Sequence, residues 1–268
     1  MGGSGGHGSG GWFARVWRRL RGPVDAQGKR LRKPFVRRGR GYASLQFTRN
    51  QTQSRMRMDD PDLLLIDYTR TMLAALLWAP PAPRVGMIGL GGGSQVKFIH
   101  RHLPAVRLEV VENNPWVIDL RGAFGVPEDD ARLQVILDDG AGFIAARPGR
   151  YDVLLVDGYD ETGIPPMLAS EAFYTACREA LAPRGALSVN LFCADAETHL
   201  ARLRRVFGAQ RVLLLDEARM KNRVAFAWRG SRPMRGTARR LSAAMAASAS
   251  AQLGPVLERV ERAIPPPR

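Results

Sequence analysis

The feature that most constrains the fold of this chain is a short apolar run that breaks into glycines, residues 84–93. The run reads Arg-Val-Gly-Met-Ile-Gly-Leu-Gly-Gly-Gly and predicts a buried parallel strand, Val85–Ile88, that turns sharply into a helix. Gly89, Gly91 and Gly93 suit that turn, because glycine permits positive φ and lets a ligand approach the backbone N–H groups. The segment therefore predicts a nucleotide-binding crevice, with glycines that serve only chain geometry as the alternative.

The residues around the glycines narrow the kind of nucleotide. A second apolar run, Leu108–Val111, ends at Glu112, where a carboxylate can accept both hydroxyl protons of a ribose. A dinucleotide fingerprint requires glycine at its sixth position, but Ser94 stands there. Three glycines at alternate positions are instead typical of enzymes that bind S-adenosylmethionine. The pattern thus favours an adenosyl sulfonium over a nicotinamide cofactor.

Strands and helices alternate along the rest of the chain, as a doubly wound parallel sheet requires. The predicted strands are Val85–Leu90, Arg107–Glu112, Leu133–Leu137, Val153–Asp157, Ala186–Leu191, Arg211–Leu215 and Arg223–Trp228. The predicted helices are Ser94–Leu103, Pro115–Phe124, Gly140–Ala146, Ser170–Leu181 and Ala196–Phe207. Only a short turn separates the last two strands, so they should be antiparallel, because a parallel crossover needs roughly a dozen residues. We therefore predict an α/β fold with a doubly wound, mostly parallel, seven-stranded Rossmann-like sheet, the layout of class I S-adenosylmethionine-dependent methyltransferases.

Composition divides the chain into four predicted parts. Residues 1–41 are rich in Gly and Arg and are expected to form a disordered basic arm. Residues 42–79 are expected to hold a small N-terminal β element and a helix. Residues 80–230 form the predicted adenosyl-sulfonium-binding transferase domain, and residues 231–268 an Ala/Arg/Pro-rich tail that is partly helical.

Local signals give bounds for the elements outside the sheet. Tyr42–Phe47 and Gln53–Met58 alternate enough to predict a β-hairpin. The Asp-Pro pair within residues 59–62 marks the start of a helix that should run to Trp78. In the tail a helix is expected over Thr237–Ile264, broken at Gly254-Pro255 because proline lacks the N–H that a helix interior uses.

The net charge of +15 raises the question of a nucleic-acid partner, since clustered Lys and Arg neutralise phosphates. The stretch Trp12–Arg21 resembles a short basic amphipathic segment suited to contact with nucleic acid or anionic membrane. The interpretation that we favour is a solvated basic arm, because acids are plentiful between Gly41 and Gly230.

Cysteine and histidine usage argues against a metal site. Cys177 and Cys193 show neither metal-type spacing nor a disulfide framework and are expected to be buried thiols in a reducing compartment. The four histidines are scattered and are expected on the surface. No apolar run reaches the roughly 18 residues of a membrane span, and no export signal follows Arg18-Arg19. We therefore expect a cytoplasmic protein without a metal.

Acidic residues follow three of the predicted strands, where ligands of open α/β sheets bind. Glu112 follows the second strand, Asp138-Asp139 the third, and Asp157 and Asp160 the fourth. Helix capping would explain Asp139 alone, and turn formation would explain Asp160 alone. Three acidic strand ends around one glycine turn are harder to explain in this way and indicate a shared ligand site.

At these residues the chain resembles a known family, the spermidine synthases or polyamine aminopropyltransferases. The resemblance covers about Gln53–Leu191 and rests on Ile88–Gly93, Val111-Glu112, Asp138–Gly140, Tyr151–Asp160 and Leu168–Tyr174. It implies decarboxylated S-adenosylmethionine, or S-adenosylmethionine itself, as the donor, a small-molecule amine such as putrescine as the acceptor, and no metal. It also allows a homodimer, although no stretch of the sequence identifies an interface.

The resemblance implies donor-binding roles for individual residues. Glu112 would bind the ribose hydroxyls and Asp139 the adenine amino group, and Asp138 also belongs to the donor-binding set. Gln53 would line the substrate channel and belongs to the donor-binding set, together with the three glycines of the turn.

On the acceptor side, the resemblance implies Asp157, Asp160 and Tyr68 as catalytic residues. An acceptor amine arrives mostly as a cation, since its pKa lies near that of lysine, about 10, and only its neutral form attacks the carbon next to the sulfonium. Asp157 is the expected base, and Asp160 the residue that holds the amine in line.

Four positions depart from the family pattern. Gly92 stands where members usually carry an aspartate that contacts the aminopropyl end of the donor, Thr69-Arg70 replace a His-Glu pair, and Glu161 replaces a proline.

Three hypotheses about the function follow from these matches and departures. The first is an aminopropyltransferase. The second is a methyltransferase on the same fold, since Gly92 and Arg70 suit the carboxylate of ordinary S-adenosylmethionine. The third is a degenerate binding module that the basic arm tethers to a nucleic acid or membrane.

Overall fold

A small antiparallel sheet precedes the main domain. The structure is a computed structural model and describes residues 22–49, 51–160, 163–192 and 194–266. Strands β1 (Phe35–Gly39), β2 (Tyr42–Thr48) and β3 (Gln51–Arg57) form this sheet in that order, each antiparallel to the next. The β2–β3 hairpin is the small N-terminal β element that the alternating pattern predicts.

Regular structure begins earlier in the chain than the sequence suggests. The prediction of a disordered arm over residues 1–41 is wrong over residues 22–41, because β1 pairs with β2 along its length and Val24 forms a β-bridge with Arg30. Four of the five residues of β1 are exposed, so it lacks the apolar alternation that marks a strand and has the charged character of an edge. The stretch Trp12–Arg21 lies outside the described residues.

The main sheet has the strand order β6-β5-β4-β7-β8-β10-β9. Its strands are β4 (Arg84–Ile88), β5 (Arg107–Glu112), β6 (Leu133–Leu137), β7 (Tyr151–Val156), β8 (Leu181–Leu191), β9 (Val212–Asp216) and β10 (Arg223–Trp228). Strands β4 to β8 are parallel, whereas β10 is antiparallel to both β8 and β9. The predicted doubly wound, seven-stranded α/β sheet is confirmed, and so is the antiparallel pairing of its last two strands.

Helices pack on both faces of this sheet. They are α1 (Asp67–Leu73), α2 (Ser94–His102), α3 (Pro115–Ile118), α4 (Gly140–Ala145), α5 (Glu171–Ala180), α6 (Ala196–Phe207), α7 (Thr237–Ala243) and α8 (Ala247–Ala263). Short 3-10 turns follow α1 at Ala74–Trp78 and α3 at Gly122–Phe124, so the single helix predicted over Pro115–Phe124 is two shorter pieces. No helix in the described ranges is long and apolar enough to cross a membrane.

The core lies in two layers, one on each face of the sheet. On β7, Val153 and Leu155 belong to the layer that α1, α2 and α8 cover, whereas Leu154 and Val156 belong to the layer under α4, α5 and α6. Successive residues of a strand point to opposite faces, and both faces are buried. This double burial explains why the central strands read as continuous apolar runs.

The helix predicted from the Asp60-Pro61 signal begins later than expected. It starts at Asp67, and the preceding residues run as irregular chain. Leu64 is fully buried there, and its backbone N–H donates to Oε1 of Gln252 on α8 (2.9 Å). A contact between segments 188 residues apart therefore holds the chain that the Asp-Pro signal predicted to be helical.

The C-terminal segment also differs from expectation. The predicted break at Gly254-Pro255 is wrong, since Pro255 lies inside α8, and the interruption falls between α7 and α8. Ala249, Leu253 and Leu257 are fully buried at helical spacing. Burial of this apolar face against the core holds the helix together through the proline.

Two buried polar side chains were not anticipated. His199 is 1% exposed, contrary to the prediction of surface histidines, because its Nδ1 shares a hydrogen bond with the hydroxyl of Tyr174 (2.6 Å). Lys97 on α2 is also 1% exposed, and its Nζ donates to the carbonyl of Phe124 (2.8 Å). Burial lowers the pKa of Lys97 to about 8.

Candidate functional site

A cavity of about 610 Å³ brings most of the predicted site residues together. It is lined by residues that follow β4, β5 and β7, which is where open α/β sheets bind ligands. The predicted residues that line it are Gln53, Tyr68, Gly89, Gly91, Gly93, Glu112, Asp139, Asp157 and Asp160. Asp138 does not line it.

The glycine turn packs directly against the end of β7. Gly89, Gly91 and Gly93 have φ values of +92°, +51° and +64°, which favour glycine. The N–H of Gly89 donates to the carbonyl of Val111 (2.9 Å), and a Cβ at Gly89 would lie 2.3 Å from the carbonyl oxygen of Asp157. A side chain at position 89 would therefore push the turn away from the acid that follows β7.

The position next to these glycines faces β3. A Cβ built on Gly92 would lie 2.5 Å from Oγ of Ser54 and 3.2 Å from the ring of Phe124. An acidic side chain at position 92 would displace Ser54, which is buried. Ser54 on β3 therefore fills the space that an aspartate at position 92 would need.

Glu112 joins the glycine turn to the end of β5. Its Oε2 accepts from the N–H of Leu90 (2.9 Å) and its Oε1 from the N–H of Asn114 (2.9 Å). Burial raises the pKa of Glu112, while these backbone donors act in the opposite direction. Backbone N–H groups therefore fix the carboxylate at the edge of the cavity.

The two acids after β6 play different parts. Asp139 lines the cavity and also caps α4, since its Oδ2 accepts from the N–H of Gly142 (2.8 Å). Asp138 is exposed, and its Oδ1 accepts from the N–H of Asp139 (2.8 Å). The predicted donor-binding role of Asp138 is not supported by its place in the structure. Within the described residues, no three His, Cys, Asp or Glu side chains are grouped to hold a metal ion.

Asp157 is held by two donors at the centre of the cavity wall. The hydroxyl of Tyr68 donates to its Oδ2 (3.0 Å), and Nδ2 of Asn190 donates to its Oδ1 (2.8 Å). Burial raises the pKa of Asp157, and the two hydrogen bonds act against that rise. Burial and the neighbouring Asp157 raise the pKa of Tyr68 well above its usual value, so the phenol stays protonated and donates.

Asn190 is a site residue that sequence reasoning missed. It lies near the carboxyl end of β8 and is 3% exposed, and its Oδ1 accepts from Nδ2 of Asn222 (2.9 Å). The available signal was an amide side chain in the run Ala186–Leu191, which is apolar apart from Ser188 and Asn190. Only the pairing of β8 with β7 shows that this amide lies next to Asp157.

Asp160 lies at the rim of the cavity and belongs to a turn. Its Oδ1 accepts from the N–H of Gly163 (3.1 Å), which fits the turn-forming role expected of an aspartate there. Its Oδ2 accepts from Nζ of Lys29 (2.7 Å). The predicted partner of the reacting amine is therefore already paired with a cation of this chain.

The N-terminal segment forms part of the cavity wall, which the sequence did not predict. Oδ1 of Asp25 accepts from the N–H groups of Gln27 (3.0 Å) and Lys29 (2.8 Å), which closes a turn. Nδ2 of Asn114 donates to the carbonyl of Arg32 (2.8 Å) and ties the segment to the end of β5.

Arg70 does not place a positive charge in the cavity. It is paired with Asp67 within α1 and is not among the lining residues, although the adjacent Thr69 is. The structure therefore does not support the idea that Arg70 meets the carboxylate of ordinary S-adenosylmethionine in this cavity.

The chain matches known proteins over the part that carries this site. Residues 62–206 match the family model described as a spermine/spermidine synthase domain. A polyamine aminopropyltransferase of Chromobacterium violaceum is 36% identical over 191 residues, which span 70% of this chain and 73% of that protein. A polyamine aminopropyltransferase of Neisseria meningitidis serogroup A is 35% identical over 192 residues, with the same two coverages, 70% and 73%.

Two solved structures share the fold. A spermidine synthase in complex with the transition-state analogue AdoDATO has a TM-score of 0.58 at 22% identity, over 72% of this chain and 68% of that one. Human methyltransferase-like protein 13 in complex with SAH has a TM-score of 0.57 at 24% identity, over 76% of this chain and 94% of that one. At these identities the likeness concerns the fold.

Proposed function

The chain belongs to the spermine/spermidine synthase family, and we propose that it is a transferase that moves the aminopropyl group of decarboxylated S-adenosylmethionine to an amine such as putrescine. The relatives that match along most of their length carry this activity in their names, and they do not favour methyl transfer or a non-catalytic role. The observation that carries the proposal is Asp157, a carboxylate that Tyr68 and Asn190 hold in a cavity bordered by the glycine turn.

The donor side of the cavity fits an adenosyl group. Glu112 lies at the edge of the cavity, where its carboxylate oxygens would accept from the ribose hydroxyls. Asp139 caps α4 through Oδ2, which leaves Oδ1 for the adenine amino group. Nothing lies within 4 Å of the place where Gly91 would carry a Cβ, so the turn offers bare backbone to the ligand. Gln53 closes this side from β3.

The transfer step needs a base, and Asp157 is placed to serve as one. The lone pair of the neutral amine forms a bond to the propyl carbon next to the sulfonium. The carbon–sulfur bond breaks, its electron pair goes to sulfur, and 5′-methylthioadenosine leaves. The proton of the amine passes to Asp157. Burial raises the pKa of Asp157, which brings it closer to that of the amine and makes the proton transfer less unfavourable.

Two further residues position this base. Tyr68 and Asn190 each hold one oxygen of the carboxylate, so its orientation toward the amine is fixed before substrate binds. Asp160 is assigned to the mouth of the cavity rather than to the reacting amine, because Lys29 and the N–H of Gly163 already occupy its two oxygens.

The test is the release of 5′-methylthioadenosine from decarboxylated S-adenosylmethionine in the presence of a panel of primary amines. We expect turnover by the wild type and a loss of about 10²- to 10⁴-fold in Asp157→Asn, since that is what removal of a general base costs. Asp138→Asn is the matched control, because Asp138 is an exposed acid outside the cavity. Absence of the product with every amine would contradict the proposal.

A further inference from the structure

The contact between Lys29 and Asp160 carries an inference about the acceptor. The ammonium of Lys29 lies 2.7 Å from Oδ2 of Asp160, although the two residues are 131 positions apart in the chain. Both residues line the cavity. The ammonium of Lys29 therefore already occupies the carboxylate of Asp160, which a cationic substrate would otherwise contact at the mouth of the cavity.

The segment that carries Lys29 is tied down on both sides of it. Its own N–H donates to Oδ1 of Asp25 (2.8 Å), and the next residue, Arg30, bridges to Val24. Two residues further on, the carbonyl of Arg32 accepts from Asn114 at the end of β5 (2.8 Å). These contacts hold the backbone of the segment over the cavity, so the position of the ammonium follows from the fold of the chain.

Other cations also stand at the cavity wall. Arg30, Arg32, Arg219 and Lys221 line it together with Lys29. The five acids of the wall are engaged in the contacts described above. Asp25 and Glu112 accept from backbone N–H groups, and Asp139 caps α4. Asp157 is held by Tyr68 and Asn190, and Asp160 is paired with Lys29. Among the described residues that line the cavity, five cations balance five acids, so the wall offers little net negative charge to a substrate with two ammonium groups.

The rim is apolar as well as basic. Met167, Phe192 and Met220 line the cavity and are 44%, 48% and 37% exposed. Large apolar side chains left exposed at the mouth of a binding cleft suit a ligand that carries hydrocarbon there. A second ammonium beside these apolar side chains would lose hydration, and the nearby Asp160 is already paired with Lys29.

We propose that Lys29 is a specificity-determining residue, which selects primary amines with a single positive charge and an apolar remainder over diamines. This inference rests on the proposed aminopropyl transfer and names the acceptor class of the same site. Asp157 receives the reacting amine, whereas Lys29 neutralises Asp160, so that this carboxylate does not attract a second ammonium. A diamine is then a slower acceptor than a monoamine of equal length.

The kinetic experiment compares putrescine with n-butylamine, which has the same four carbons and one amine fewer. We expect the wild type to favour n-butylamine in kcat/KM, and Lys29→Met to shift the ratio about three- to tenfold toward putrescine, the range expected for a partly exposed charge. Lys29→Arg keeps the charge and should keep the preference. Lys33→Met is the matched control, because Lys33 is exposed in the same segment and does not line the cavity.

A binding experiment separates this inference from the proposed function. Calorimetry measures the affinity of each amine for protein saturated with 5′-methylthioadenosine, with no turnover required. A shift of relative affinity toward putrescine in Lys29→Met supports the role of Lys29 even if no product forms, in which case the proposed reaction fails alone. An unchanged ratio in Lys29→Met, the same shift in Lys33→Met, or no binding of either amine overturns the inference.

Discussion

Replacement of Asn190 by alanine tests how the base is held. The substitution removes the donor that lies 2.8 Å from Oδ1 of Asp157 and leaves the hydrogen bond from Tyr68 in place. A hydrogen bond to a charged group contributes roughly 1.5–3 kcal/mol, which corresponds to about a ten- to hundredfold change in an equilibrium. The carboxylate form of Asp157 should therefore become less populated by about that factor.

The sign of the pH effect follows from the role of Asp157. The base works as a carboxylate, so activity is lost as the pH falls through its pKa, which burial already raises. Loss of the Asn190 donor raises that pKa further, so the acidic limb of the kcat/KM profile moves to higher pH. Near the acidic limb the variant should be about ten- to hundredfold slower, and the difference should narrow at high pH, where both proteins carry the carboxylate.

The assay is the rate of 5′-methylthioadenosine release as a function of pH. Asn222→Ala is the matched control, because Asn222 contacts Oδ1 of Asn190 and leaves the contact between Asn190 and Asp157 formed. Its acidic limb should move much less. An unmoved limb in Asn190→Ala, or an equal displacement in the control, would refute the idea that Asn190 stabilises the carboxylate.

Four further substitutions test the glycine turn, the strand that it contacts and the helix that follows it. Gly89→Ala should lower the melting temperature and abolish donor binding in calorimetry, because the new Cβ would meet the carbonyl of Asp157 at 2.3 Å and the residue has a φ of +92°. Gly92→Asp should also destabilise the fold, and Ser54→Gly should partly restore its melting temperature, because Ser54 fills the space. Additive effects in that double-mutant cycle would contradict the contact. For Lys97, burial lowers the pKa to about 8 in the folded state, so the unfolded state binds more protons above that pH. The free energy of unfolding should therefore rise between about pH 8 and the ordinary pKa of lysine, about 10.4. Denaturant titrations of Lys97→Met should lack that rise.

The parallel strands were predictable because both faces of the sheet are buried. Residues such as Val153–Val156 must be apolar without interruption, which is a signal that the sequence carries locally. The antiparallel end of the sheet followed from the short turn before Arg223. The glycine turn and the acids after the strands were predictable because open α/β sheets bind ligands at one edge.

The elements that the sequence did not reveal depend on contacts between distant segments. The irregular chain before α1 is held by Gln252 on α8, and α8 continues through Pro255 because its apolar face is buried. Lys29 and Asp160 are 131 residues apart in the sequence, so the residues next to either one give no sign that the two form an ion pair. Asn190 reads as a polar interruption of a strand until the sheet places it beside Asp157.

The most direct test of the account is the identity of the group that the acceptor gains. The protein is incubated with an equimolar mixture of decarboxylated and ordinary S-adenosylmethionine and with n-butylamine and putrescine, and the amine products are identified by mass spectrometry. The account predicts an aminopropyl adduct that forms with the wild type and is strongly reduced with Asp157→Asn. A methylated amine, or an aminopropyl adduct that forms equally fast without the Asp157 carboxylate, would contradict it.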